Sequence, residues 1–262
     1  MDPVVDLVRT RLASHAGEAV AHGAPTRRPL ILGIAGSVAV GKSTLAGALL
    51  DGLQAGDAAI IGTDSFLLPN DVLVDRALLD RKGFPESYDL GPLLALLDAM
   101  RSGDVAGWSV PVYSHLTYDI VPGARRDLGC PRLLIIEGIN ALQPELAARL
   151  DLALYLDADE GDIERWYTDR FRALVVAGRS DARSFYHRFA TLDDAGVDAV
   201  AAFVWREVNL PNLRLHIAPT AIQAHAVVRM AADHTAAVEL SMSRLPPEGG
   251  LEPIPRVSRM KA

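Results

Sequence analysis

Residues Gly36-Ser37-Val38-Ala39-Val40-Gly41-Lys42-Ser43 carry the spacing G-x-x-x-x-G-K-S, with Thr44 one residue further on. The chemistry open to such a run is the holding of phosphate. Glycines at 36 and 41 allow backbone angles and close approaches that a Cβ forbids, so successive N–H groups can turn inward around phosphate oxygens. A helix beginning near Lys42 aims its positive end the same way. In that setting Lys42 reaches the β- and γ-phosphates as a mobile point charge, and the Ser43 hydroxyl takes one position on Mg²⁺. Residues 36–44 are thus expected to bind a nucleoside triphosphate, the alternative being a glycine-bearing turn that binds nothing.

Phosphoryl transfer asks a protein to position two reactants and to neutralise charge. Asp64 follows Ile60-Ile61-Gly62-Thr63, where a buried strand would deliver it to the same sheet edge as the phosphate loop. There it would take the proton of an acceptor hydroxyl as general base; a turn or N-cap aspartate is the other reading. Leu133-Leu134-Ile135-Ile136-Glu137-Gly138 is an apolar run ending in a carboxylate. This pattern puts Glu137 next to Mg²⁺ directly or through water, with Gly138 leaving room for ligand, unless the glutamate only caps a helix. Asp157 and Asp159 read as turn or cap residues with no metal role. Trp166, Tyr167 and Arg170 share one helix at spacings that put them on neighbouring surface. Such a face could close over reacting phosphates, with Arg170 on the transferred group and a phenol near the acceptor. It could equally be a solvated arginine face over core aromatics. His115, among Tyr113, Ser114, Thr117 and Tyr118, suits loop organisation as well as ligand contact, and the same holds for His187.

The elements that must position these groups follow from the apolar pattern. Short unbroken apolar runs at 30–35, 58–62, 133–136 and 152–156 predict parallel strands covered on both faces. Helical patterns at 43–53, 71–81, 91–101 and 144–150 alternate with them, predicting a three-layer α/β fold with a mainly parallel central sheet. A short helix from Asp2 with Val5, Val8 and Leu12 on one face is expected to open the chain and to end at Pro25 to Pro29. Beyond Asp157 helical patterns at 162–177, 184–191 and 194–208 predict a lid and substrate region over about residues 160–215. An edge strand is expected at 236–242. The organisation expected is a helix and linker over 1–29, a kinase domain over 30–244 and a mobile tail over 245–262, where proline, glycine and charge dominate.

The chain has 262 residues, 50% hydrophobic and 23% charged, with a net charge of −7, which argues against a nucleic-acid binder. Its single cysteine, Cys130, excludes an intramolecular disulfide and reads as a strand-edge residue. The absence of a long uncharged apolar run, a basic leader or a signal-peptide core predicts a cytoplasmic protein without a membrane partner.

Several blocks together closely resemble the bacterial type I pantothenate kinases. They are Gly33 to Thr44; Lys82-Gly83-Phe84-Pro85-Glu86-Ser87-Tyr88-Asp89; Pro111 to Leu116; Glu137-Gly138-Ile139-Asn140-Ala141-Leu142-Gln143; Trp166-Tyr167-x-x-Arg170-Phe171; Ser184-Phe185-Tyr186-His187; and Glu207 to Leu213. The resemblance runs from about residue 30 to about residue 244. It implies a P-loop kinase related to uridine kinase and phosphoribulokinase, a homodimer that uses ATP and Mg²⁺ to phosphorylate the primary hydroxyl of pantothenate, the first step of coenzyme A synthesis. By the likeness Asp64 matches the catalytic carboxylate, Lys42 and Ser43 the phosphate and magnesium ligands, and Arg170 the lid arginine. His115, Tyr167 and Asn212 match pantothenate-side positions, while Tyr113, Phe185 and Tyr186 would line the pocket for the acceptor's amide chain. Ser65, Gly47 and Ala221 depart from the family's usual glycine, arginine and arginine. Two further readings stay open from the residues: the same chemistry on a nucleoside such as uridine or on a sugar, and a non-catalytic nucleotide-binding regulator.

Overall fold

The computed structural model describes residues 2–21, 28–53 and 57–240. Each of the four unbroken apolar runs forms a strand; three of them are covered on both faces and need no polar alternation, while the edge run at 58–62 alternates half-buried and buried residues. They are β1 (Leu30–Gly36), β2 (Ala58–Gly62), β5 (Leu133–Glu137) and β6 (Leu152–Asp157), with the hairpin strands β3 (Ser109–Ser114) and β4 (Asp119–Asp127) lying between β2 and β5 in the chain. With β7 (Ala226–Met230) and β8 (Ala236–Leu240) the sheet order is β2-β5-β1-β6-β7-β8. The first five strands are parallel and β8 pairs antiparallel with β7 at the edge. All seven residues of β1 are buried, the signature of a central strand between two helical layers.

Helices supply those layers: α1 (Asp2–Ala21), α2 (Lys42–Leu53), α3 (Asn70–Asp75), α4 (Gly91–Ser102), α5 (Pro144–Ala147), α6 (Glu160–Gly178) and α7 (Asp194–Val204). Val4, Val5, Leu7 and Val8 bury one face of α1, where Val5 packs on Gly52 of α2. Both α6 and α7 start on aspartate caps: Asp159 accepts from the Gly161 N–H at 2.9 Å and Asp193 from the Gly196 N–H at 2.8 Å. Asp159 is thus a cap, as expected, while Asp157 accepts from Arg229.

Three helical expectations are corrected. The span 71–81 holds only α3, because Ala77 turns left-handed (φ 54°) and a separate 3₁₀ turn follows at Leu79–Arg81. The span 184–191 is a 3₁₀ turn, Phe185–Phe189. Past Val204 the α-helical pattern widens to π turns at Trp205–Asn209 and Leu213–Ile217, flanking one α turn at Leu210–Asn212. Pro211 supplies the cause, since it lacks an N–H and its ring crowds the carbonyl four residues back. The end of the edge-strand expectation at 241–242, the helix stop at Pro25 and the tail over 245–262 fall outside the described residues. Among the described residues no helix is long and apolar enough to cross a membrane.

Candidate active site

Register along the sheet gathers the first functional groups. Gly62 of β2 and Ile34 of β1 both stand opposite Glu137 of β5, so three adjacent parallel strands release their chains at one edge. From that edge come the phosphate loop between β1 and α2, Glu137 at the end of β5, and Asp64 in the 3₁₀ turn Thr63–Phe66 after β2. Gly36 (φ 147°) is obligatory, because a Cβ there would stand 2.4 Å from the Leu156 carbonyl oxygen. Lys42 folds back to donate to the Ser37 carbonyl at 2.6 Å, closing the loop on itself. Its ammonium is lowered to about 8 because burial outweighs the attraction of Glu137 and Asp64, so it remains a cation at neutral pH. The side chains of Ser37 and Val40 are buried, leaving that stretch to act through its backbone.

Ser43 donates its hydroxyl to Glu137 Oε1 at 3.1 Å, which brings the two expected metal ligands together. They are hard oxygen donors of the kind a divalent cation takes. Among the described residues no cluster of three or more His, Cys, Asp or Glu gathers elsewhere. Gly138 needs a different account from ligand access. A Cβ there would stand 1.8 Å from Thr63 Oγ1, so the glycine exists to let the turn carrying Asp64 pack against β5.

A cleft of about 490 Å³ opens above the loop. Ala39, Gly41, Lys42, Ser43 and Thr44 form its floor, and Trp166, Asp169 and Arg170 of α6 one wall, with His234 from the β7–β8 turn. The Trp166 and His234 rings stack with centroids 4.2 Å apart and planes 25° from parallel. Trp166 and Arg170 are four residues apart and face the same space, so this side of α6 is a wall of the cleft and not merely a solvated surface. His234 is absent from the sequence reading because nothing local links a hairpin turn to a helix about seventy positions earlier.

A cluster of aromatic rings lies near enough to Asp64 for its charge to act on Tyr113 and Tyr118. Tyr113 meets His115 (5.1 Å) and Tyr118 (6.2 Å), Tyr118 meets Phe185 (4.6 Å), and Phe185 meets Tyr186 (5.4 Å). Phe171 links Tyr186 to Tyr167, which also meets Trp205. Tyr113, His115, Tyr167, Phe185 and Tyr186, expected together on the acceptor side, are joined by one continuous chain of ring contacts through Tyr118 and Phe171. Burial pushes the Tyr167 phenol up to about 12, with the Asn209 amide and Arg170 working against it. Arg170 likewise counteracts the upward push of burial on Tyr118 and Tyr186, and it also helps lower Lys42. Its guanidinium is thus felt both in the nucleotide cleft and in the aromatic pocket. Asn212 is buried; its amide donates to the Gly83 carbonyl at 3.0 Å while its Oδ1 has no partner. His187 Nδ1–H donates to the Gly178 carbonyl at 3.1 Å, the loop-organising of its two readings.

Two residues of the site were not singled out from sequence. Lys82, 8% exposed, donates to Asn70 Oδ1 and to the Tyr118 carbonyl, both at 2.6 Å, and lies 4.5 Å from the centroid of the Tyr118 ring. Burial lowers it to about 8, while Asp119 and Asp64 pull it back up. Tyr88 donates its hydroxyl to Asp64 Oδ1 at 3.3 Å. Both sit in the block Lys82 to Asp89, whose spacing gives no hint that it folds over Asp64.

The chain is similar to known proteins in sequence and in fold. The model of the phosphoribulokinase / uridine kinase family matches residues 31–167. A pantothenate kinase of Sorangium cellulosum is 46% identical over 220 residues, covering 79% of this chain and 71% of that protein. One from Streptococcus thermophilus is 43% identical over 222 residues, covering 80% and 72%. Among solved structures, D-glycerate 3-kinase from Cryptococcus neoformans superposes with a TM-score of 0.61 over 91% of this chain and 99% of its own, at 14% identity, a likeness of fold.

Proposed function

We infer, from the fact that the chain belongs to the pantothenate kinases within the phosphoribulokinase and uridine kinase family, that it transfers the γ-phosphate of ATP to the primary hydroxyl of pantothenate. The observation that carries the residue roles is the place of Asp64. It accepts a hydrogen bond from Tyr88, and its charge acts both on Lys42 of the phosphate loop and on Lys82, Tyr113 and Tyr118 of the aromatic cluster. A carboxylate between a phosphate cradle and an organic pocket is where a general base for an acceptor hydroxyl belongs.

In this reading the amides of residues 36–44 and the Lys42 ammonium hold the ATP phosphates. The Trp166–His234 stack offers a flat aromatic wall against which a nucleobase fits. Ser43 and Glu137 would hold Mg²⁺, which would supply charge neutralisation for the transferring phosphate. Tyr113, Phe185 and Tyr186 receive the amide chain of the acceptor, with His115, Tyr167 and Asn212 as its polar contacts. Asp64 accepts the hydroxyl proton as that oxygen bonds to the γ-phosphorus and the bond to the β–γ bridging oxygen breaks, releasing ADP. Arg170, reaching both halves of the site, balances the charge spread over the transferred group. The enzyme works in the cytoplasm as a homodimer, without membrane or nucleic-acid partners, a reading that rests on the family likeness and the composition.

A panel of acceptors with ATP and Mg²⁺ tests the assignment. Turnover of pantothenate is expected with kcat/KM at least about tenfold above that of uridine or any sugar, a gap that a hydrogen-bonding pocket readily supplies. Faster turnover of uridine or a sugar would move the acceptor to another class and leave the kinase chemistry standing.

A further inference from the structure

We infer that Tyr88 is a positioning residue for phosphoryl transfer, holding one oxygen of Asp64 by its hydroxyl so that the other oxygen faces the acceptor. The inference rests on Asp64 being the base. Three features of the chain point to it beyond the hydrogen bond itself.

The first is a backbone clamp around Tyr88. Leu67 and Tyr88 form an isolated antiparallel bridge, the Leu68 N–H donates to the Ser87 carbonyl at 2.9 Å, and the Asp89 N–H donates to the Phe66 carbonyl at 2.8 Å. Residues on either side of Tyr88 are thereby tied to the end of the turn that presents Asp64. Ser87 is locked in its own right, donating to the Phe84 carbonyl at 2.7 Å and accepting from the Gly83 N–H at 2.9 Å. The Tyr88 ring therefore has a fixed place relative to the carboxylate.

The second is burial beside the contact. Tyr88 is 8% exposed and Thr63 is fully buried, and the Thr63 hydroxyl lies beside the phenol oxygen. Gly138 gives up its side chain to make room for that threonine. The third is that the phenol stays a donor. Burial, and after it the charge of Asp64, push the Tyr88 hydroxyl well above its ordinary value, so it keeps its proton at any working pH. At 3.3 Å the bond is long, as catalytic hydrogen bonds often are before substrate closes the site.

The alternative is a buried tyrosine whose hydroxyl merely found a partner. Steady-state kinetics of the full-length chain separates the two, using Tyr88→Phe, Asp64→Asn and the double variant, with thermal midpoints alongside. Tyr88→Phe is expected to lower kcat about 10- to 100-fold with both KM values nearly unchanged, the size of a hydrogen bond to a charged group. Added to Asp64→Asn it is expected to cost nothing further, because the oxygen it positions is then no longer a base. A kcat within about twofold of the parent, or a loss that multiplies with that of Asp64→Asn, would overturn the inference. If Tyr88→Phe does not fold, difluorotyrosine at position 88 keeps ring and hydroxyl but changes donor strength; kcat then shifts if the hydroxyl positions Asp64 and stays constant if it does not. Unchanged turnover by Asp64→Asn would instead sink the base assignment, whereas an inactive Asp64→Asn with a fully active Tyr88→Phe sinks only the positioning role.

Discussion

Asp64→Asn is expected to lower kcat for pantothenate phosphorylation by about 10²- to 10⁴-fold while leaving KM for ATP close to that of the parent, the range open to a positioned general base. The asparagine keeps the shape and can still hydrogen-bond an acceptor hydroxyl, but it cannot take the proton. ATP binding should survive because the phosphate cradle is built by β1, α2 and Lys42, not by the turn that carries Asp64. A steep rise in KM for ATP with kcat preserved would instead assign Asp64 to nucleotide binding. Titration of ATP into the variant gives an independent reading of the same separation.

Arg170→Ala is expected to lower kcat by about 10³-fold or more, the scale on which an arginine acts on a transferring phosphoryl group. The side chain stands on the wall of the nucleotide cleft and its charge is felt by Lys42 and by the Tyr118, Tyr167 and Tyr186 phenols. Folding should not suffer, because a guanidinium at the mouth of a cleft carries little of the core. Arg170→Lys is expected to recover only a small part of the loss, since a point charge cannot reproduce the planar fork. A variant with normal kcat and a raised KM for ATP would reduce Arg170 to a ground-state phosphate contact.

How far residues alone reach can be judged element by element. Strands β1, β5 and β6 stand in the sequence almost to the residue, because burial on both faces writes itself as an unbroken apolar run, and the edge strand β2 reads the same way although its residues alternate half-buried and buried. The P-loop, Asp64 and Glu137 were legible for the same reason: each sits at the end of one of those runs, and parallel strands end at one edge. β7 was not, because Ala226-Val227-Val228-Arg229-Met230 follows a 3₁₀ turn and is joined to β6 only by tertiary register, Leu154 opposite Ala226. The left-handed break at Ala77 and the π turns around Pro211 defeated helical periodicity, which assumes a single pitch throughout. Tyr113, His115, Tyr167, Phe185 and Tyr186 were flagged by family likeness, and what joins them is the 3₁₀ turn Phe185–Phe189, which meets Tyr118 of the β3–β4 hairpin on one side and Phe171 of α6 on the other. Lys82 and Tyr88 entered only as members of a family-like block with no role of their own, and His234 not at all, because their partners are distant in sequence and a lysine, a tyrosine and a histidine in loops carry no spacing rule.

The central claim is geometric: Asp64 stands between a nucleotide held at the phosphate loop and pantothenate held in the aromatic pocket. A crystal structure of the ternary complex with a non-hydrolysable ATP analogue and pantothenate tests it most directly. The account predicts the pantothenate primary hydroxyl within hydrogen-bond reach of Asp64 and directed at the γ-phosphate, its amide chain lying along Tyr113, Phe185 and Tyr186 with Tyr167, His115 and Asn212 as polar contacts. Pantothenate bound away from Asp64, or lying in the Trp166–His234 cleft in place of the nucleotide, would contradict it.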